Sequence, residues 1–353
     1  MPAKVEITRG NLLTADVEAL VNTVNTVGVM GKGIALQFRK AFPQVYAAYK
    51  AACDAGSVRP GRMLVTHTGQ LDGPRLVINF PTKRHWRGRS RLEDIDAGLR
   101  DLVRVLRDWE VRSVAVPPLG CGNGGLDWDV VRPRIEQALG ELDETRILLF
   151  EPTGPPPPAE QPIATSRPRM TPGRAALVAT LAAYQSDPSV EITQLVAQKL
   201  AYLLQAGGEP MRLAFAKGPF GPYAEAFNDV LQKLDGHFVH GCGDRTTVAS
   251  IHVDRDALDK AASLLEDEPE TRERVGDVRA LIEGFESPFG LELLTTVHWA
   301  AHHGGARDAA EAATYVASWN ERKSRVFPSH HVEAAWDRLG AFGWLQADSY
   351  AAC

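Results

Sequence analysis

The sequence predicts an α/β fold in its first half, built on a mixed, mostly parallel sheet in a three-layer α/β/α sandwich, followed by a mainly helical second half. Three observations carry this. Short β-branched runs alternate with helical periodicity up to residue 150, a proline-rich seam follows, and the remainder is patterned almost entirely for helices.

In the first half, VEITRG, ALVNTVN, MLVTHT, LVINFP, SVAVPP and ILLF are apolar and largely β-branched, as buried strands should be. Between them, residues 34–42, 45–55, 92–109 and 128–142 repeat apolar side chains every three or four positions, which marks amphipathic helices. The seam, EPTGPPPPAEQPIATSRPRMTPGR, lacks many backbone donors and favours extended geometry, so it reads as a linker over residues 153–173 between domains at 1–152 and 174–353. Beyond it, helical patterns cover residues 174–185, 192–205, 223–234, 256–265, 275–285, 291–303, 309–320 and 330–339, with KGPFGPY as a corner and GHFVHG as a short strand. Helices followed by a short hairpin also suit a winged helix.

Composition narrows the class. With 44% hydrophobic and 24% charged residues among 353, the chain reads as a soluble two-domain protein. No apolar run approaches the ~20 residues that cross a bilayer, and MPAKVEITRG is not an export segment, so a cytoplasmic location without a membrane partner is expected. Cys53, Cys121, Cys242 and Cys353 are scattered without a CxxC pair, so neither a zinc site nor a disulfide framework is expected. Residues 1–152 hold 21 basic and 18 acidic side chains, leaving +3, whereas 18 against 26 leave the remainder at −8. The second half should therefore favour a basic partner over phosphate.

Ligands of parallel sheets bind beyond the carboxyl ends of the strands, and three segments stand there. In NTVNTVGVMGKGIA, Asn22 and Asn25 end a strand, and Gly28, Gly31 and Gly33 lead into a helix near Ile34, where backbone N–H groups and the helix dipole favour a phosphate. In LGCGNGGLDW, four glycines within six residues form a second candidate cradle. Each alone also reads as a tight turn; the pair suits a diphosphate. In NFPTKRHWRGRSR, Arg84, Arg87, Arg89 and Arg91 surround His85 and Trp86, offering phosphate contacts and a stacking surface for single-stranded nucleic acid. The plainer reading is a solvated basic loop.

These residues carry a resemblance. VNTVN followed by GVMGKGIA, together with PLGCGNGG, resembles the macrodomain family of ADP-ribose-binding modules over residues 1–152. Lys32 in GKG and Lys83 in FPTKRHWR resemble its DNA ADP-ribosyl glycohydrolase branch, the DarG-type antitoxins, and AKGPFGPYAEAFNDVLQKLDGHFVHGCGD resembles that branch's partner-binding region. The resemblance implies an enzyme without a cofactor or metal that hydrolyses ADP-ribose from thymidine in single-stranded DNA. Its partners would be the modified DNA, ADP-ribose as product, and the toxin DarT, a DNA ADP-ribosyltransferase held by the second domain.

By the same resemblance, Lys83 is the catalytic residue, attacking the anomeric carbon of the distal ribose. ADP-ribose would be lined by Asn11, Leu12, Asn22, Asn25, Gly31, Lys32, Gly33, Ile34, Thr82, Gly120, Cys121, Gly122, Asn123, Gly124 and Gly125, with Asn25 facing the distal ribose. DNA would meet Arg84, His85, Trp86, Arg87 and Arg89. Attack by an amine requires its neutral form, so the Lys83 pKa must fall from about 10.4, helped by Arg84 and by desolvation. Two departures stand out: related enzymes that act on protein carboxylates have an aspartate where Gly124 stands, and Gly10-Asn11 replaces the common Gly-Asp beside adenine. Asp127 reads as a helix cap, Cys121 as a packed thiol rather than a nucleophile, and His298 with His302 as packing rather than a metal pair. The alternatives are a hydrolase of another ADP-ribosyl bond (protein carboxylate, O-acetyl-ADP-ribose or terminal RNA phosphate) and a non-catalytic ADP-ribose reader fused to a regulator.

Overall fold

The computed structural model describes residues 4–70, 72–186, 190–245 and 250–346. The chain divides into two compact units, one of Met1–Ser166 with Gly243–Thr247, the other of Arg167–Cys242 with Val248–Cys353. Cys353 lies outside the described residues; Cys53, Cys121 and Cys242 form no disulfide with one another.

In the first unit, β1 (Lys4–Thr8), β2 (Ala19–Val24), α1 (Gly33–Ala41), α2 (Pro43–Asp54), β3 (Leu64–His67), β4 (Leu76–Pro81), α3 (Leu92–Asp108), β5 (Ser113–Val116), α4 (Trp128–Leu139) and β6 (Arg146–Phe150) follow in order. They form a six-stranded sheet ordered β1-β6-β5-β2-β4-β3, in which β3 alone runs antiparallel, against β4. The period of two along each strand explains why both faces are covered. Ala19, Val21, Ile78, Phe80, Val114, Val116, Ile147 and Leu149 pack with α3 and α4, while the intervening Leu20, Val77, Ala115, Leu148 and Phe150 pack with Phe38, Phe42 and Val45 of the α1 and α2 layer. Gly98 lets α3 settle on the sheet, since a Cβ there would lie 2.2 Å from the buried Phe80 ring.

The proline-rich seam is less detached than its composition suggests, and the boundary at Ser166 falls within it. Proline removes donors but leaves carbonyls as acceptors. A 3-10 turn at Pro158–Glu160 takes a 2.6 Å bond from Asn11 Nδ2 to the Glu160 carbonyl, Ala164 N–H donates to the Lys40 carbonyl at 2.9 Å, and Gln161 is buried.

In the second unit, the helices are α5 (Pro172–Tyr184), α6 (Gln194–Ala206), α7 (Glu225–Leu234), α8 (Arg255–Glu266), α9 (Pro269–Ile282), α10 (Pro288–His302), α11 (Ala309–Ala317), α12 (Glu321–Val326) and α13 (Ser329–Ala341). Two short antiparallel ladders accompany them, β7 (Ala216–Gly218) with β8 (Gly221–Tyr223), and β9 (Val239–His240) with β10 (His252–Val253). Residues 309–320, expected as one helix, stop at Ala317 because Asn320 starts α12, its Oδ1 accepting from Lys323 N–H at 2.8 Å. Among the described residues, no helix is long and apolar enough to cross a membrane.

Candidate functional site

The sheet order places β5, β2 and β4 side by side and parallel, so the loops that leave their carboxyl ends emerge together. These are the three segments singled out by composition. A hydrogen bond from Thr82 N–H to the Val24 carbonyl, 2.9 Å, ties the first turn beyond β4 to the end of β2.

The loop after β2 is organised by Asn25. Its Oδ1 accepts from Val27 N–H at 3.0 Å and Val29 N–H at 3.3 Å, its Nδ2 donates to the Val29 carbonyl at 2.6 Å, and Tyr49 Oη donates to its backbone carbonyl at 2.8 Å. The amide expected to face a ribose is thus engaged by its own loop. Gly28 adopts φ +79°, and Gly33, the first residue of α1, φ +65°. Lys32 is exposed at the N-cap of α1 and makes no side-chain capping bond; Ile34 is half-buried in the first turn.

The loop after β5 turns at Gly120 (φ +74°) and Gly125 (φ +72°), closed by Leu126 N–H to the Gly120 carbonyl at 3.1 Å and Gly125 N–H to the Gly122 carbonyl at 3.0 Å. Its glycines serve different ends. A Cβ on Gly124 would stand 2.2 Å from the Gly120 oxygen and 2.3 Å from Ser90 Oγ, so the aspartate of related enzymes has no room there; Gly122 has open space around its Cα. Ser90, unremarked in the sequence, clasps this loop through its N–H to the Gly124 carbonyl at 3.0 Å.

Lys83 joins the two sides. Leaving β4, it is half-buried and its Nζ donates to the Asn123 carbonyl of the glycine loop. Burial pulls its pKa below the usual lysine range. The expected help from Arg84 is not a cause of that shift: the Arg84 guanidinium turns instead to Asp94 Oδ1 of α3 at 2.9 Å.

The basic loop separates into parts. His85, Trp86 and Arg87 are exposed, with Trp86 flanked by the His85 ring at 5.5 Å and the Arg87 guanidinium 4.5 Å from its centroid. Arg89 is directed to the glycine loop, donating to the Gly125 carbonyl at 3.0 Å. An exposed stacking platform therefore follows Lys83 in the chain, while two of the arginines read as DNA contacts are engaged by the protein itself, Arg84 by α3 and Arg89 by the glycine loop.

Other residues are packed inward or engaged by their own elements. Asn22 is fully buried in β2, its Nδ2 bonded to Asn79 Oδ1 at 3.0 Å, and Thr82 is buried. Asn11 caps a 3-10 turn over Leu12–Thr14, its Oδ1 accepting from Leu13 N–H at 3.1 Å, with Leu12 buried beneath. Cys121 is half-buried, and burial, with Asp127 nearby, pushes its thiol up to about 11, far from a reactive thiolate. Asp127 caps α4 by accepting from Asp129 N–H at 3.0 Å. His298 and His302 stack 4.3 Å apart, His298 Nδ1 bonded to Tyr202 Oη and His302 Nε2 to the Trp344 carbonyl, both at 2.8 Å. Among the described residues, no group of three metal-ligating side chains converges.

A profile of the Macro domain family matches residues 21–135. A Thermus aquaticus protein named DNA ADP-ribosyl glycohydrolase is 48% identical over 344 residues, spanning 97% of this chain and 94% of its own. The solved macrodomain of Mycobacterium tuberculosis DarG is 55% identical, covers 43% of this chain and 99% of its own, and superposes with a TM-score of 0.42. A Thermosipho africanus protein named as a fusion of DNA ADP-ribosyl transferase with DNA ADP-ribosyl glycohydrolase is 35% identical over 154 residues, 39% of this chain and 40% of its own.

Proposed function

The chain belongs to the DNA ADP-ribosyl glycohydrolases, and from that premise we propose that Lys83 of its first unit releases ADP-ribose from thymine in single-stranded DNA while its second unit neutralises the transferase that attaches it. One observation carries the catalytic half: a lysine whose pKa burial lowers stands at the carboxyl edge, bonded to the glycine loop and followed in the chain by the exposed Trp86 platform.

In the proposed reaction, neutral Lys83 Nζ forms a bond to C1 of the distal ribose as the bond from C1 to the base nitrogen breaks. The electron pair leaves with the base, which takes up a proton, and Nζ sheds one. Opening of the sugar ring converts the adduct to a Schiff base, and water then hydrolyses it, returning the free amine and ADP-ribose. The open space at Gly122 and the N–H groups of the two loops suit the diphosphate. Cyanoborohydride added during turnover is expected to reduce the Schiff base and leave a stable adduct, which peptide mass mapping assigns to Lys83. Turnover without any trapped lysine would oppose this route.

Two observations support the second half of the proposal. The Thermosipho africanus relative unites both activities in one chain by its name, and residues 153–353 carry the −8 imbalance, suited to a protein whose own groove binds DNA phosphates. Association of this chain with the transferase should weaken steeply with salt and be competed by single-stranded oligonucleotide. Binding indifferent to both would oppose it.

A further inference from the structure

The first unit takes in residues from far downstream, and the described ones, a turn at Gly243, Asp244 and Arg245, close on the start of α1. Gly33 N–H donates to the Asp244 carbonyl at 2.8 Å, and Arg245 donates to the Gly31 carbonyl at 3.3 Å, so both peptides flanking Lys32 are held. One turn further along α1, Gln37 Nε2 donates to Asp244 Oδ2 at 2.8 Å; Lys40 Nζ reaches the Gly243 carbonyl at 3.3 Å. We propose that Asp244 and Arg245 are positioning residues of the ADP-ribose site, fixing residues 31–33 in their binding shape.

The sequence around α1 explains the need. A helix start leaves N–H groups without partners, and a lysine at the N-cap cannot accept a bond from them. The distant Asp244 carbonyl takes the place of a local cap. The preceding stretch, with Gly28, Gly31 and Gly33, has many accessible backbone states, and binding to a loop already held in one of them loses less entropy. Burial argues that the turn is a lasting part of the site and not a cover that ligand displaces: Asp244 is 3% exposed, and Gln37 and Lys40 4% each.

This inference rests on the reading that residues 31–33 face ADP-ribose, so its test carries a control for that reading. In the full chain, Arg245→Ala is expected to weaken ADP-ribose binding about 10-fold by calorimetry and to raise KM with kcat and Tm retained. Arg245→Lys, which keeps a donor for the Gly31 carbonyl, is expected to restore most of the affinity. The control is Gly31→Val, where the nearest atom to a Cβ is Val29 Cγ1 at 3.6 Å, so the fold accepts it while the loop surface changes. If Gly31→Val weakens binding and Arg245→Ala does not, positioning is overturned and the loop reading stands. Tighter binding by Arg245→Ala would make the turn a displaceable cover and overturn the proposal as well. If neither substitution alters affinity, the loop reading falls, and the proposal with it.

Discussion

Lys83→Ala is expected to bind ADP-ribose about as well as the unaltered chain yet to release it from modified single-stranded DNA at least ~10³-fold more slowly in single turnover. The separation follows from what the side chain touches. Its bond to the Asn123 carbonyl is one that a backbone loop already closed by Gly120, Gly122 and Ser90 can lose without unfolding. The bond it would form to the sugar exists only during reaction, so its loss falls on the rate and not on affinity. Lys83→Arg should be as slow, since a guanidinium stays charged. The pH profile gives an independent readout. Burial lowers the lysine pKa by penalising the ammonium, so the reactive neutral fraction grows as pH rises through that lowered value. The rate should climb on the alkaline side and fall as pH drops below it. A variant that cleaves at the normal rate would remove Lys83 from the chemistry.

Much of this architecture was legible because it depends on local pattern. The six strands and four helices of the first unit follow from the periods of two and 3.6, and parallel order then brings the three glycine-rich or basic segments to one edge. What the sequence concealed depends on distant partners. Gly124 reads as a cradle residue, but Ser90 and the Gly120 carbonyl are what forbid a side chain there. Asn25 reads as a ligand contact, yet its amide is consumed by Val27 and Val29. Arg84 and Arg89 read as one basic run; pairing with Asp94 and with the Gly125 carbonyl separates them from His85, Trp86 and Arg87. No local signal links Asp244 to Gly33.

The second large effect concerns the other unit. Glu292→Ala is expected to destabilise it by about 3–5 kcal/mol, because the substitution strands a buried cation. Lys323, whose side chain is fully buried, donates to Glu292 Oε1 at 2.6 Å and Thr296 Oγ1 at 3.0 Å, while Arg322 spans both carboxylate oxygens at 2.6 and 3.1 Å. Lys199 lies in the same neighbourhood, bonded to the Pro222 carbonyl at 2.7 Å, with its pKa lowered to about 7 by burial and by the Lys323 charge. Removing the carboxylate would leave these cations facing one another. Burial alone would raise the Glu292 pKa, but the bonds from Arg322 and Lys323 outweigh it and the net shift is downward. The folded state therefore binds fewer protons on this carboxyl than the unfolded chain. Its contribution is complete above the unfolded value near pH 4.5 and disappears as pH falls through the lower folded value. A separate melting transition for this unit should drop by roughly 6–20 °C in Glu292→Ala, and Glu292→Leu combined with Lys323→Met should recover much of the loss, since the paired charges are removed together. Glycohydrolase activity should persist while association with the transferase is lost. A drop below about 1 °C in the single variant would mean that Lys323 finds another counter-charge.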